Sequence, residues 1–247
     1  MGKMDFYTIL WADLMIMRRR MTRYLVTTLV SPILYLFAFG WGLGRDISIE
    51  GASYLDFVIP GIIALTAMNS SFVGAGARLN VDRLFFRSFD EFLMVPISTL
   101  SLVFGKAMIG VFRGLVSSIA FLAVALLLSP TFSLGPLFLV SLVLTCLSFS
   151  FLGVLAALLA KSHEDMNTFS SLILLPMTFL AGTFFSLSQV SGALKLGLYV
   201  LPLTHSSLCL RAAALNQPFP WTSFVVICLF VFLFLAASIA TLRQISE

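Results

Sequence analysis

Side chains that could do acid–base, nucleophilic or metal chemistry are few in this sequence, and they are scattered. His163 and His205 lie far apart, and Cys146, Cys209 and Cys228 lie in apolar stretches without CxxC or Cys/His spacing. Neither a zinc site nor a disulfide framework is indicated. The GxxxxGK[ST], GxSxG and HExxH patterns do not occur, so the sequence indicates neither nucleotide hydrolysis nor metal-assisted hydrolysis in this chain.

The composition excludes most soluble proteins. Of 247 residues, 60% are hydrophobic and 11% are charged, whereas soluble domains are about 45–50% apolar and about 25% charged. So few charges cannot cover the surface of a water-soluble globule, and the high hydrophobicity excludes disorder. The formal net charge of +4 is small and dispersed, so nucleic acid is not expected as a partner. We therefore expect an all-α polytopic membrane protein.

Uncharged runs predict six transmembrane helices, because one helical crossing needs about 20 residues. The run 114–160 has 47 residues and suits two crossings, with a Pro- and Gly-containing turn at 129–136. The predicted spans are 24–44, 56–78, 100–128, 136–160, 166–186 and 219–242. The remaining segment, 187–218, is apolar but interrupted by Gly and Pro. It predicts short re-entrant or interfacial helices.

Lysine and arginine set the predicted orientation. With the N-terminus inside, ten of these residues lie on the cytoplasmic side and three outside, as the positive-inside rule requires. The even number of spans then places both termini in the cytoplasm.

Two basic residues fall inside the third predicted span. Lys106 and Arg113 are seven residues apart, which is about 10 Å along a helix and nearly the same face. We expect Lys106 to extend to the inner interface. A charge at the depth of Arg113 costs roughly 2.5–3.5 kcal/mol, so it should find an acidic group, a carbonyl or water. A structural pairing and a role in coupling or at a polar pathway both remain open.

Two segments are predicted to be amphipathic helices rather than spans. Residues 3–23 form a basic amphipathic helix suited to the cytoplasmic surface, either as an anchor or as a docking surface. Residues 80–95 combine a broad apolar arc with a narrow polar arc, and Pro96 ends the helix. The polar arc contains Arg83, Arg87, Asp90 and Glu91. This pattern is compatible with a protein contact surface and with a lipid-surface helix.

Several stretches resemble the type-2 ABC exporter permeases, which include the membrane subunits of bacterial drug, lipo-oligosaccharide and polysaccharide exporters. The resemblance covers essentially the whole chain, with its motifs in order and at family spacing. They are YLDFVIPG at 54–61, RSFDEFLMVP at 87–96, Arg113-Gly114, GTFFSL at 182–187 and YVLPLT at 199–204. Phe92 stands where the family usually has a leucine.

The resemblance implies one exporter transmembrane domain over residues 1–247, in the bacterial inner membrane. It implies a homodimer, or a heterodimer with a similar permease, joined to cytosolic ABC ATPase subunits. ATP and Mg would bind those partners, and this chain would hold no cofactor. Residues 80–95 become the coupling helix, 3–23 the interfacial helix beside it, and 187–218 outer re-entrant helices. The coupling residues implied are Arg83, Arg87, Asp90, Glu91, Phe92 and Pro96.

The function implied is ATP-driven export of an amphipathic, lipid-linked or drug-like substrate, between two permeases and in contact with membrane lipid. The candidate pathway residues come from the second and fifth spans, and core packing is the alternative for each. They are Asn69, Ser70, Ser71, Thr178, Phe179, Phe184 and Phe185.

Two other classes stay as alternatives. An ion- or proton-coupled secondary transporter would transport without an ATPase, but the sequence shows no inverted repeat with buried acids. An intramembrane enzyme acting on lipid would need a catalytic cluster. His205 with Thr204 and Ser206 is the one candidate, and it has no paired acid. Neither the substrate nor the choice between homodimer and heterodimer follows from the sequence.

Overall fold

The described part of the chain is almost entirely helical. The computed structural model describes residues 15, 21–43, 48–49, 52–85, 98–128, 132–190 and 192–246. Its elements are, in order, α1 (Met21–Tyr35) with a π-helical continuation (Leu36–Leu43), β1 (Ser48–Ile49), β2 (Ala52–Ser53), α2 (Tyr54–Leu84), α3 (Thr99–Leu128), α4 (Pro136–Leu159), α5 (His163–Phe169), a π-helical turn (Ser170–Leu174), α6 (Leu175–Leu180), a 3₁₀ turn (Leu187–Gln189), α7 (Gly192–Tyr199), α8 (Pro202–Ala214) and α9 (Trp221–Ser246). The strands form one antiparallel bridge, with Ser48 opposite Ser53.

Five of these helices are long and apolar enough to cross a membrane. They are Met21–Gly40, α2, α3, α4 and Trp221–Ile245. The long uncharged run 114–160 is divided as predicted, since α3 ends at Leu128 and α4 begins at Pro136. The fifth predicted span, 166–186, corresponds to the shorter helical stretch α5–α6, which ends at Leu180 and is followed by non-helical backbone. Its crossing of the membrane therefore stays a prediction.

Helix α2 is the centre of the bundle. It packs mainly against α3 and α4, and its apolar part is buried almost all round. Helix α9 is the opposite case, because few of its apolar side chains are buried and several are exposed, among them Leu229, Phe232 and Leu233. A surface of this kind suits lipid or the apolar surface of another protein. The bundle thus has one largely enclosed helix and an apolar exterior.

Close contact around α2 depends on glycine. A Cβ atom at Gly153 of α4 would lie 2.5 Å from the Phe72 carbonyl oxygen, and one at Gly110 of α3 would lie 2.5 Å from the Ser71 carbonyl oxygen. Small residues let helix backbones approach this closely in membranes, where lipid is as apolar as leucine and dispersion contacts must hold helices together. The two glycines therefore fix the spacing of α2, α3 and α4.

The segment 187–218 contains short helices, as the sequence predicts. Arg211 of α8 is buried and donates hydrogen bonds to the carbonyl oxygens of Phe57 (3.1 Å) and Gly182 (2.9 Å). Its guanidinium carbon also lies 3.6 Å from the centre of the Phe57 ring. The backbone turns at Gly182, whose φ is +68°. Arg211 thus supplies hydrogen-bond donors to carbonyl groups in the non-helical backbone that follows α6.

Gly153→Leu should disrupt the bundle, because a side chain there meets the α2 backbone rather than a movable side chain. We expect a loss of at least about 1–3 kcal/mol, measured as a lower thermal midpoint and an aggregated fraction in detergent size-exclusion chromatography. Gly197→Leu is the matched control, since a Cβ atom at Gly197 has no neighbour within 4 Å. Equal stability of the two variants would contradict the packing argument.

Candidate functional site

A polar cavity lies among α1, α2, α3 and the α5–α6 stretch. Its volume is about 470 Å³, within the roughly 300–1,000 Å³ of small-molecule sites. Eleven of the eighteen lining residues carry a hydroxyl or amide group, although the surrounding helices are apolar. The lining residues are Tyr24, Thr27, Thr28, Ser31, Pro32, Tyr35, Leu65, Thr66, Asn69, Ser70, Val73, Gly74, Arg113, Ser170, Ser171, Leu174, Leu175 and Thr178.

Helix α1 contributes a polar face that is absent from the pathway predicted above. Tyr24, Thr27, Thr28, Ser31 and Tyr35 all line the cavity. Their spacing of i, i+3, i+4, i+7 and i+11 places them on one side of a helix. This periodicity is visible in the sequence. The predicted pathway was confined to the second and fifth spans, so it did not include this face.

Helix α2 contributes polar groups from its middle turns. The Thr66 hydroxyl donates to the Ile62 carbonyl oxygen at 2.7 Å, and the Asn69 amide donates to the Leu65 carbonyl oxygen at 3.2 Å. The Ser70 hydroxyl is buried and has no hydrogen-bond partner among the described residues. Ser70 lines the cavity, although its hydroxyl oxygen is covered by neighbouring atoms.

Arg113 is the charged residue of the cavity lining. It lies in the middle of α3 and is half-buried, with its guanidinium carbon 5.4 Å from the centre of the Tyr24 ring. The Tyr24 hydroxyl is 3.0 Å from the Ser117 hydroxyl. The Nε atom of Arg113 is buried without a hydrogen-bond partner in the described part of the chain. In place of the expected acidic group or carbonyl, the described residues put an aromatic ring and the cavity beside Arg113.

The predicted pathway residues divide into two groups. Asn69, Ser70 and Thr178 line the cavity. Ser71 does not line it, because it is fully buried on the side of α2 that faces Gly114 of α3.

The three predicted phenylalanines also lie outside the cavity lining. Phe179 is 46% exposed and Phe184 is 8% exposed, while Phe185 is half-buried. Phe184 stacks on Phe39 with ring centres 4.1 Å apart. For these three residues and Ser71, a place in a transport pathway stays a prediction that the cavity does not support.

A second polar cluster lies at the predicted cytoplasmic ends of α2, α3 and α4. Lys106 is buried and its Nζ atom is 2.7 Å from an Asp82 carboxylate oxygen. The other Asp82 oxygen is 3.3 Å from Nε of Arg78. Lys106 thus pairs within the bundle, whereas the sequence led us to expect that it extends to the membrane interface. This ion pair ties α2 to α3.

Arg83 joins the same end of α2 to α4. One guanidinium nitrogen donates to the carbonyl oxygens of Ala157, Leu158 and Ala160, at 2.9, 2.7 and 3.0 Å. These carbonyls belong to the last turn of α4 and the residue after it, where no further helical N–H reaches them. Arg83 therefore lies in the last turn of the long helix α2 and caps a neighbouring helix.

The start of α5 is fixed by a capping box. The Asp165 amide donates to the Ser162 hydroxyl at 3.0 Å, and an Asp165 carboxylate oxygen accepts from the amides of Lys161 (2.8 Å) and Ser162 (3.1 Å). The hydrogen bond from the Lys161 amide is the main reason why the pKa of Asp165 is lowered. Nearby, His163 Nδ1 is 2.9 Å from Asn80 Oδ1. The short α4–α5 connection is thus held against α2.

The remaining coupling predictions fall on a segment outside the described residues. The predicted helix 80–95 begins inside α2, which runs without a break to Leu84. Arg87, Asp90, Glu91, Phe92 and Pro96 lie outside the described residues. The same holds for all but Met15 and Met21–Arg23 of the predicted interfacial helix 3–23.

Comparison with known proteins defines the class of this protein. The model of the ABC-2 type transporter family matches residues 4–215. The chain is 32% identical over 175 residues to inner membrane transport permease YadH of Escherichia coli K12, which covers 68% of each chain. It is 30% identical over 229 residues to nodulation protein J of Neorhizobium galegae, covering 89% of this chain and 86% of that protein. Nodulation protein J of Rhizobium meliloti 1021 is 29% identical over 196 residues, covering 77% of this chain and 73% of that protein.

The chain therefore belongs to the ABC-2 type transporter family, which confirms the resemblance found in the sequence. It is an integral membrane transport permease and not an enzyme. Permeases of this family normally pair with a separate ABC ATPase.

Replacing Asp82 should destabilise the protein more than replacing Asp82 and Lys106 together. Asp82→Asn removes the carboxylate from a buried ammonium group, which costs about 3–5 kcal/mol, whereas removing both charges avoids much of that penalty. The thermal midpoint of the purified protein should fall for Asp82→Asn and recover in Asp82→Asn/Lys106→Met.

Lys161→Met serves as the control, because Lys161 is exposed and its replacement should leave the midpoint nearly unchanged. A double variant as unstable as the sum of the two single variants would show that Asp82 and Lys106 do not stabilise the bundle as a pair.

Proposed function

We propose that this permease is the membrane subunit of an ATP-driven exporter that moves an amphipathic, lipid-linked or drug-like substrate out of the cytoplasm. The observation that carries the proposal is the polar cavity of about 470 Å³ among otherwise apolar helices. Polar side chains at membrane depth are costly unless they face protein or a cavity, and they mark pathways. In a member of a transporter family, such a cavity is the natural place for a substrate.

The proposal also specifies how the chain is arranged in the membrane. Residues 1–247 form one transmembrane domain with six crossings, of which the α5–α6 stretch, extended toward 186, is the fifth. Residues 3–23 are an interfacial helix, 80–95 a coupling helix and 187–218 an outer re-entrant segment. Both termini lie in the cytoplasm. The inner-membrane location is supported by the name of the Escherichia coli relative, an inner membrane transport permease.

ATP and Mg bind to partner ATPase subunits, and this chain supplies no cofactor. The permease works as a homodimer or as a heterodimer with a similar permease, surrounded by membrane lipid. Residues 86–95, with Arg87, Asp90, Glu91 and Phe92, dock on the ATPase before Pro96 ends the helix. A bound nucleotide shifts the permease only if the ATPase binds its two conformations with different affinity.

The described contacts support a route from that docking segment into the membrane domain. The segment follows directly on the last turn of α2, where Arg83 is hydrogen-bonded to the end of α4. In the same turn, Asp82 is paired with Lys106 of α3. A displacement at the end of α2 therefore acts on both neighbouring helices. Since Asn69 and Ser70 of α2 line the cavity, the same displacement changes the cavity wall.

Glu91→Lys should uncouple the permease from its ATPase. Reversing a charge in a docked interface costs about 2–5 kcal/mol, so permease-stimulated ATPase activity and export should fall by about tenfold or more. The measurement is ATP-dependent export in proteoliposomes, together with the amount of ATPase that copurifies. Glu50→Lys is the matched control, since Glu50 is predicted on the opposite side of the membrane, and it should behave as the wild type.

Two results would contradict the proposal. Normal export by Glu91→Lys would remove the docking role of residues 86–95. Transport by the permease alone under an ion or proton gradient would favour the secondary-transporter alternative instead.

A further inference from the structure

We propose that the polar cavity binds the anionic head group of an amphipathic substrate, and that Arg113 is the cation that recognises it. The head group would be a phosphate, sulfate or carboxylate on an apolar chain. This inference rests on the proposed export function and narrows its substrate class. Three features of the cavity carry it, namely its charge, the way Arg113 is held, and the apolar part of its wall.

The described lining of the cavity carries a single positive charge. Among the described residues that line it, Arg113 alone is charged, and the others are neutral polar or apolar. An arginine has five N–H donors and no acceptor. Nε of Arg113 is covered by protein, so the two terminal guanidinium nitrogens are the donors that would meet an anion. In a site partly removed from water such a cation attracts an anion more strongly than it would in bulk solvent.

Arg113 is held in place by contacts with α1 and α2. The Tyr24 ring lies 5.4 Å from its guanidinium carbon. Its aliphatic part lies over Gly74, where a Cβ atom would approach Arg113 Cδ to 2.9 Å. Any larger residue at position 74 would push the arginine aside. The side chain is therefore positioned for a ligand and not left to extend toward the membrane surface.

The cavity wall also offers donors and an apolar exit. The hydroxyl groups of Ser31 and Ser171 line the cavity together with Arg113 and can donate to an oxyanion. Val73 and Leu175 line the same cavity and are 47% and 57% exposed, respectively. Apolar side chains that reach the outer surface of the bundle suit a hydrocarbon chain that continues from the head group into lipid. A volume of about 470 Å³ accommodates such a head group with part of its chain.

The test measures binding and needs no ATP turnover. The full-length permease, with the ATPase that copurifies, is placed in phosphatidylcholine nanodiscs, and radiolabelled dodecyl phosphate is the probe. Empty nanodiscs correct for partitioning into lipid. Dodecyl maltoside and dodecyltrimethylammonium, which have the same chain with a neutral or cationic head, serve as competitors.

We expect saturable binding of dodecyl phosphate that neither competitor displaces at equal concentration. Arg113→Gln should weaken it at least about tenfold, as expected for the loss of a charge-assisted hydrogen bond, and Arg113→Lys should retain most of it. Arg23→Gln is the matched control, because it removes the same charge from an exposed position outside the cavity lining and should leave binding unchanged. Equal effects of Arg113→Gln and Arg23→Gln would overturn the proposal.

Two further arms identify the source of the head group. Displacement by phosphatidylglycerol added to the nanodisc supports the proposal, with a bilayer lipid as the occupant. Displacement by inorganic phosphate at the concentration at which dodecyl phosphate itself competes would overturn it, because the site would then bind a free anion. If the arginine variants do not fold, the wild-type competition still decides, since equal displacement by dodecyltrimethylammonium contradicts an anion site.

The head-group binding test and the test of the proposed export function can fail independently of each other. Binding is measured without ATP, so it persists even if the permease proves not to depend on an ATPase. Conversely, ATP-driven export that is unaffected by Arg113→Gln, in a protein that shows no dodecyl phosphate binding, would reject the head-group site and leave the export function standing.

Discussion

The structure depends above all on one constraint, which is that polar groups inside a bilayer need a partner or a cavity. In the described residues this constraint has three solutions. Arg211 donates to the non-helical carbonyls after α6, and Lys106 pairs with Asp82. Arg113 and the hydroxyls of α1 and α2 surround a cavity instead. The first two solutions close polar groups off within the protein, and the third leaves them available.

The polar groups that are closed off within the protein stabilise the fold, whereas those around the cavity are available for function. The ion pair and the hydrogen bonds of Arg83 bind the ends of α2, α3 and α4 into one unit, and the glycine contacts continue that unit toward the middle of the membrane. The cavity lies beside this unit, with α1 and the α5–α6 stretch as its other walls. Helix α1 is largely exposed, and α5–α6 contains a π-helical turn. The tightly packed unit of α2, α3 and α4 thus faces the less tightly packed α1 and α5–α6 across the cavity. This arrangement suits a cavity that changes shape.

The sequence predicted the features that depend on local composition. Uncharged runs gave five of the spans because a bilayer demands length and apolarity in each segment separately. Breaks at Gly and Pro likewise gave the short helices of 187–218. Partners distant in the sequence were not predictable, because a charge count does not show that Lys106 faces Asp82 or that Arg83 reaches the carbonyls of α4. Asn69, Ser70 and Thr178 were found by polarity alone, while Ser71 was selected by the same criterion but faces the α3 side of α2.

The most direct test of this account is the water accessibility of the cavity. In a variant without Cys146, Cys209 and Cys228, single cysteines replace the cavity residues Thr27 and Ser171 or their exposed apolar neighbours Val26 and Leu172, which do not line the cavity. A charged, membrane-impermeant thiol reagent should modify the cysteines at 27 and 171 at least about tenfold faster, because thiolate forms in water and not in hydrocarbon. Equal rates, or faster reaction at 26 and 172, would show that these polar groups do not enclose a watery cavity and would contradict the account.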